Sequence, residues 1–196
     1  MDASYSKDGI RIPRPVAIFF LKAFALFVGW KAFYIFFLLP TRGVDRPLTR
    51  FIGAATATVL NVGSGPVHYH AVEAGDTSLA DDKLVISTAM DIRRDGRQTL
   101  RIADACNGLE LMVLYAGFLL CFPAPAGKKL RYIPLGILLI MVMNILRCTA
   151  LVWIFIHYHK YLDFSHHFLF TFLIYGLIFI LWFLFTKNLR SHDSAI

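Results

Sequence analysis

The sequence predicts a mostly α-helical, polytopic membrane bundle of about four spanning helices plus one interfacial helix, with a small extracytoplasmic β cap. Three observations point there. Of 196 residues, 57% are hydrophobic and 15% aromatic against 17% charged, with a mean hydropathy of +0.59; a soluble fold of this size cannot hide so much apolar surface. The hydrophobicity falls in blocks long enough to cross ~30 Å of hydrocarbon at ~1.5 Å per residue. The basic residues behind the net charge of +7 gather at the ends of those blocks, where they orient spans and meet lipid headgroups, rather than in one stripe suited to nucleic acid. A single membrane-embedded domain over 1–196, with its β cap at 63–104, is expected. Cys121 and Cys148 lie inside apolar runs and the three cysteines lack both a disulfide framework and zinc spacing, so Cys106 reads as a free thiol.

Taken in order, residues 1–15 form a polar lead with Lys7, Arg11 and Arg14, and Val16 to Leu39 a retained spanning helix, too long for a signal-peptide core. Lys22 can snorkel to the inner headgroups; Lys31 lies deeper and either faces other helices or reaches the outer side. Positive charge before the span sets the N-terminus inside, and Pro40 outside. Phe51 to Asn61 is apolar but about half a span, and is expected as a short helix at the outer interface. A second spanning helix is the alternative, and it would reverse the side on which Cys106 lies.

Gly63-Ser64-Gly65-Pro66 breaks that helix. Val67 to Val72 alternates, Leu84-Val85-Ile86 favours a strand, and Asp95-Gly96 sits as a hairpin turn between Ala89–Arg94 and Arg97–Ile102. Leu109 to Phe122 is the second span, closed by Pro123-Ala124-Pro125 and a basic cytoplasmic turn, Lys128, Lys129 and Arg131. Tyr132 to His157 is the third, residues 158–165 a short outer loop, and His166 to Thr186 the fourth. Both termini come out cytoplasmic.

Chemistry concentrates at the outer ends. Asp104 is a candidate N-cap for a helix starting near Ala105, which would place the Cys106 thiol in a first turn, where the dipole favours an anion. Arg147 lies in the outer half of the third span, with Asn144 on the same face. An arginine in hydrocarbon costs about 2.5 kcal/mol or more, so it needs a partner or a polar cavity. Glu110 is the partner a purely structural ion pair would use. His166 opens the last span, with His167 beside it. A thiol, a guanidinium and an imidazole at one level suit acyl transfer. Cys106 would attack a carbonyl to give an oxyanion and then a thioester, Arg147 would stabilise the oxyanion, and a histidine would move protons. Asn144 could donate to the same oxyanion or orient Arg147, and Glu110 could hold Arg147 or raise the thiol pKa. Two other classes stay open: a noncatalytic transporter or assembly protein, and a metal or haem protein using His157, His159, His166 and His167, although no ligand shell is completed and no metal or cofactor is expected.

Ala103-Asp104-Ala105-Cys106-Asn107-Gly108-Leu109, Asn144-Ile145-Leu146-Arg147 and Phe164-Ser165-His166-His167 resemble the Cys, Arg and His motifs of the exosortase/archaeosortase family. The resemblance covers about Leu100 to Phe185. Family members usually carry Gly four residues after the histidine; Phe170 stands there from His166. The chain is similar to the compact exosortases of Bacteroidetes-type bacteria, Trp182 in the aromatic last span included. The resemblance implies a membrane-embedded cysteine transpeptidase with Cys106, Arg147 and His166 as catalytic residues, Asn107, Glu110, Asn144 and His167 supporting. It implies substrates that are secreted proteins with a C-terminal sorting signal, the signal helix lying beside the spans, and an amine or lipid acceptor, or water, releasing the acyl group. It further implies a site facing the periplasm from the bacterial cytoplasmic (inner) membrane.

Overall fold

The computed structural model describes residues 14–63, 67–80 and 83–193, apart from the side chains of 15, 75–88, 159, 167 and 188–193; most of the polar N-terminal lead lies outside that range. The first helix, α1 (Arg14–Phe33), continues through one π-helical turn (Tyr34–Leu38) into Leu39–Thr41. Its apolar length is therefore Val16–Thr41, 26 residues, slightly longer than expected. Thr41 Oγ1 donates to the Phe37 and Leu38 carbonyls at 2.9 and 3.2 Å, and Arg42 ends the helix in a left-handed conformation, φ 51°.

Where a half-length interfacial helix over Phe51–Asn61 is expected, α2 runs Asp45–Gly63. The polar stretch before Phe51 joins it because Pro47 falls in the first turn, where no helical N–H is needed. Asp45, Thr49, Ile52, Gly53, Thr56 and Ala57 form its buried stripe. Arg46 and Arg50 stay exposed, and α2 is not among the helices apolar enough to cross a membrane.

The cap is an antiparallel sheet in the order β1 (Tyr69–Ala80), β2 (Lys83–Arg94), β3 (Arg97–Ala103). Its second hairpin follows the expected register, Arg94 opposite Arg97 and Met90 opposite Ile102, with one irregularity at Ile92/Arg93. Asp95 and Gly96 both take positive φ, 49° and 82°, as a type I′ turn requires. Ala89, Met90, Ile92 and Ile102 are buried, and the last three share a core with Ile52, Cys148 and Val152. At Gly53 an added Cβ would lie 2.8 Å from Met90 Cβ, so α2 rides directly on the sheet.

Three helices are long and apolar enough to span: Val16–Thr41, Ala126–His157 and Phe170–Lys187. The expected second span, α3 (Leu109–Cys121), has only 13 residues, about 20 Å at the helical rise, before the Pro-Ala-Pro break. Next comes α4 (Ala126–His157), which begins six residues before Tyr132, so Lys128, Lys129 and Arg131 lie in its opening turns and not in a loop. The expected outer loop is itself helical: a 3₁₀ turn His159–Tyr161, Leu162–Phe164, and a π-helical turn Ser165–Leu169 that runs into α5 (Phe170–Asp193). A second core joins α3, α4 and α5 through Tyr115, Leu119, Ile140, Ile178 and Phe185. Tyr115 is fully buried and donates to the Tyr132 carbonyl at 2.8 Å, its ring filling the space left by Gly136. Large apolar side chains on α1 and its π-helical extension, among them Phe20, Leu21, Phe24 and Phe36, are exposed as lipid-facing residues are.

Candidate functional site

The Cys106 segment differs from the expected helix start. Asp104–Cys106 is a 3₁₀ turn and α3 begins only at Leu109, after Gly108 in a left-handed conformation, φ 83°. Asp104 is therefore not an N-cap, and Cys106 sits ahead of the helix instead of in its first turn. Only glycine takes that conformation without strain, and the missing Cβ also admits Asn144, whose Nδ2 would lie 3.4 Å from one. Asn107 Oδ1 accepts from Leu109 N at 2.9 Å, an Asx turn that leads the chain into the helix, whose N-cap position is Gly108.

One flank of this turn is locked by a buried polar network. Asp104 accepts from Thr49 Oγ1 at 2.7 Å and from Arg42 at 2.9 Å. Asn107 Nδ2 donates to Asp45 Oδ1 at 2.9 Å and to Thr49 Oγ1 at 3.3 Å, and Tyr34 donates to Asp45 Oδ2 at 3.0 Å. Asp45, Thr49, Asp104 and Asn107 are all buried. Asp45 has no cation in this set; its charge sits in the first turn of α2, where the helix dipole favours it. Sequence reasoning missed Tyr34, Arg42, Asp45 and Thr49. The four-residue spacing of Asp45 and Thr49 on an amphipathic helix was the available signal.

The opposite flank is α4. Asn144 Nδ2 donates to the Cys106 carbonyl at 3.0 Å and Arg147 to the same oxygen at 3.3 Å, which brings three of the expected site residues together. Asn144 Oδ1 and Arg147 Nε are buried and have no hydrogen-bond partner. Glu110 does not pair with Arg147; it forms an ion pair with Lys31, which thus faces α3. Among the described residues no carboxylate pairs with Arg147.

Arg147 lines a cavity of about 880 Å³ between α1, α3 and α5, together with Lys31, Arg42, Asp45, Asp104 and Glu110. Its deeper wall is apolar and aromatic, with Trp30, Phe118 and Trp182, the last two stacked at 4.1 Å. Ala105 and Asn107 reach this cavity, but Cys106 does not: it packs at the edge of the core formed by α2, the sheet and α4. His166 is half-buried on the π-helical turn that precedes α5 and is not a cavity wall either; Thr171, Ile174 and Tyr175 of α5 are. The His167 side chain lies outside the described set, and His68 and His70 are exposed.

The model of the transmembrane exosortase family matches residues 15–186. The chain belongs to this family. It is also similar to archaeosortase A of Haloferax volcanii, 28% identical over 71 residues, which is 36% of this chain and only 23% of the archaeosortase. No solved structure matches. Exosortase membership and the three long apolar helices make the chain a membrane protein.

Proposed function

We propose that this exosortase is a membrane-embedded cysteine transpeptidase or peptidase, one unit over the whole chain, that cleaves C-terminal sorting signals of secreted proteins. The observation that carries the reading is Arg147, a permanent cation with no carboxylate partner among the described residues, bonded to the Cys106 turn at the wall of a large cavity. An Arg kept only for structure would be neutralised by its neighbour Glu110, and Glu110 is occupied by Lys31.

In this reading the signal helix lies against the aromatic wall of the cavity and presents its scissile carbonyl beside Arg147. The reading requires the Cys106 side chain to turn about its Cα–Cβ bond, from the core edge toward that carbonyl. Attack by the thiolate forms a C–S bond and pushes the carbonyl electrons onto oxygen, where Arg147 and Asn144 donate to the oxyanion. Collapse breaks the C–N bond, and the leaving amine takes from His166 the proton that its imidazole accepted from the Cys106 thiol before attack, with His167 as the alternative carrier. Water or an amine-bearing acceptor then releases the thioester. The basic residues at 128–131 and 187–190, opposite the Cys106 end of the bundle, support a cytoplasmic-membrane orientation with the site toward the periplasm.

Trapping tests this directly. A tagged sorting-signal substrate incubated with the enzyme should give a Cys106 adduct by mass spectrometry, lost in Cys106→Ser while that variant still reaches the membrane. Continued processing by Cys106→Ser would instead support a noncatalytic transporter or assembly role.

A further inference from the structure

A second groove, of about 750 Å³, lies on the other flank of α4 from Arg147. Val59 and Leu60 of α2, Leu146, Thr149 and Ile156 of α4, and Tyr69 of the sheet supply mostly apolar walls. Two groups at its rim are basic: Arg94, at the end of β2, and His157, at the end of α4. Among the described residues the Arg94 guanidinium has only a distant carboxylate, Asp95 at 4.0 Å, and Arg93 and Arg97 stand exposed on the same hairpin. His157 Nδ1 bonds the Trp153 carbonyl at 3.0 Å while its ring stacks on Trp153 at 4.8 Å.

The level of the groove is readable from its surroundings. Trp153, Tyr158 and Tyr161 are each more than half exposed around the end of α4, as aromatic residues are at a membrane interface. Leu146, 51% exposed and about two turns deeper, belongs to the hydrocarbon level. The groove thus runs from acyl-chain depth to headgroup depth, apolar below and cationic above. We propose that it is a binding site for a phospholipid with a net negative headgroup, its phosphate on the Arg94 guanidinium and an acyl chain along Leu146 and Ile156. Charge complementarity selects this occupant: an apolar peptide would leave the arginine unanswered, and a zwitterionic lipid would bring an ammonium next to it.

Native mass spectrometry of the full chain, purified and then supplied with phosphatidylglycerol or phosphatidylcholine of identical chains, tests the assignment. The wild type should retain phosphatidylglycerol about fivefold more, the preference one interfacial arginine confers. Arg94→Gln should equalise the two lipids, Thr149→Trp should lower retention of both by filling the groove, and Arg97→Gln, outside it, should leave the preference intact. Equal retention by the wild type, a preference that survives Arg94→Gln, stabilisation by inorganic phosphate as large as by the lipid, or a lipid-free dimer would each overturn the proposal. None of these outcomes bears on Cys106.

Discussion

The two flanks of the Cys106 turn are built to opposite rules. Toward α2, the carboxylates of Asp45 and Asp104 are answered by Tyr34, Arg42, Thr49 and Asn107 at 2.7–3.0 Å. Toward α4, Asn144 and Arg147 share one acceptor, the Cys106 carbonyl, and each keeps a buried atom with nothing to bond. A buried unanswered group costs about 1–3 kcal/mol, so the α4 flank carries a penalty that the α2 flank avoids. The first flank fixes the turn; on the second the spare donor is Arg147 Nε–H, which the oxyanion of the proposed reaction could take, whereas Asn144 Oδ1 is an acceptor and could not serve it.

Removing that spare capacity should have the largest effect. Arg147→Ala should slow processing of a sorting-signal substrate by about 10²–10³-fold, the range for losing one oxyanion donor, at unchanged membrane abundance by immunoblot. Arg147→Lys should recover little, because a point charge cannot serve two acceptors with a planar fork. An Arg147→Ala variant as active as the wild type would leave the α4 flank purely structural.

Breaking the holding flank should act first on stability. Asp45→Ala leaves Tyr34 and Asn107 without their acceptor and should cost about 1–3 kcal/mol, read as earlier thermal unfolding in detergent, with faster maleimide labelling of Cys106 as the turn loosens. Asp45→Asn keeps an acceptor and should lie nearer the wild type. Gly108→Ala joins the two flanks in one change: the left-handed conformation costs a non-glycine residue about 1–2 kcal/mol, and its Cβ would press on Asn144. Its processing rate should fall more than its stability, whereas Asp45→Ala should show the reverse.

These flanks were unequally legible in the sequence. Blocked hydrophobicity announced a membrane bundle, and Asp95-Gly96 announced its hairpin, because both are local signals with a period or a turn chemistry. Asn144 and Arg147 were legible as a pair, since polar residues three apart in a span stand out against Leu and Ile. Tyr34, Asp45 and Thr49 were not. Asp45 and Thr49 find partners 55 to 62 positions away along the chain, Tyr34 meets Asp45 only when α2 docks, and the residues around Pro47 look like loop until the helix is seen to start before them. Asp104 has the composition of an N-cap, but Thr49 and Arg42 compete for it and win, which moves the helix start to Leu109. The 13-residue α3 shows that an apolar run bounded by Pro need not reach across a bilayer.

The Lys31–Glu110 pair lies in the cavity wall but belongs to neither flank, with side chains 39% and 66% exposed. Exposed pairs are worth about 0–1 kcal/mol, so Lys31→Met should barely move thermal unfolding. Its larger consequence is that Glu110 becomes available to Arg147. Processing should then fall in Lys31→Met and recover in Lys31→Met combined with Glu110→Gln. Equal loss in the single and double variants would assign Lys31 itself a direct role in the cavity.

The smallest effect belongs to the outer face of α2, where hydrogen bonds from Arg50 and then Arg46 hold the Glu73 carboxyl below its ordinary value. A depressed carboxylate stabilises the fold in full above the unfolded pKa, and that contribution is lost as pH falls through the folded value. The unfolding temperatures of wild type and Glu73→Gln should therefore differ slightly near neutrality and converge as the pH is lowered from about 6 to 3. The buried pairs of Asp45 and Asp104 are untouched by that substitution, so labelling of Cys106 should not change with it. If labelling did change, the sheet and the Cys106 turn would be coupled through α2, and the holding flank would extend to the surface of the protein.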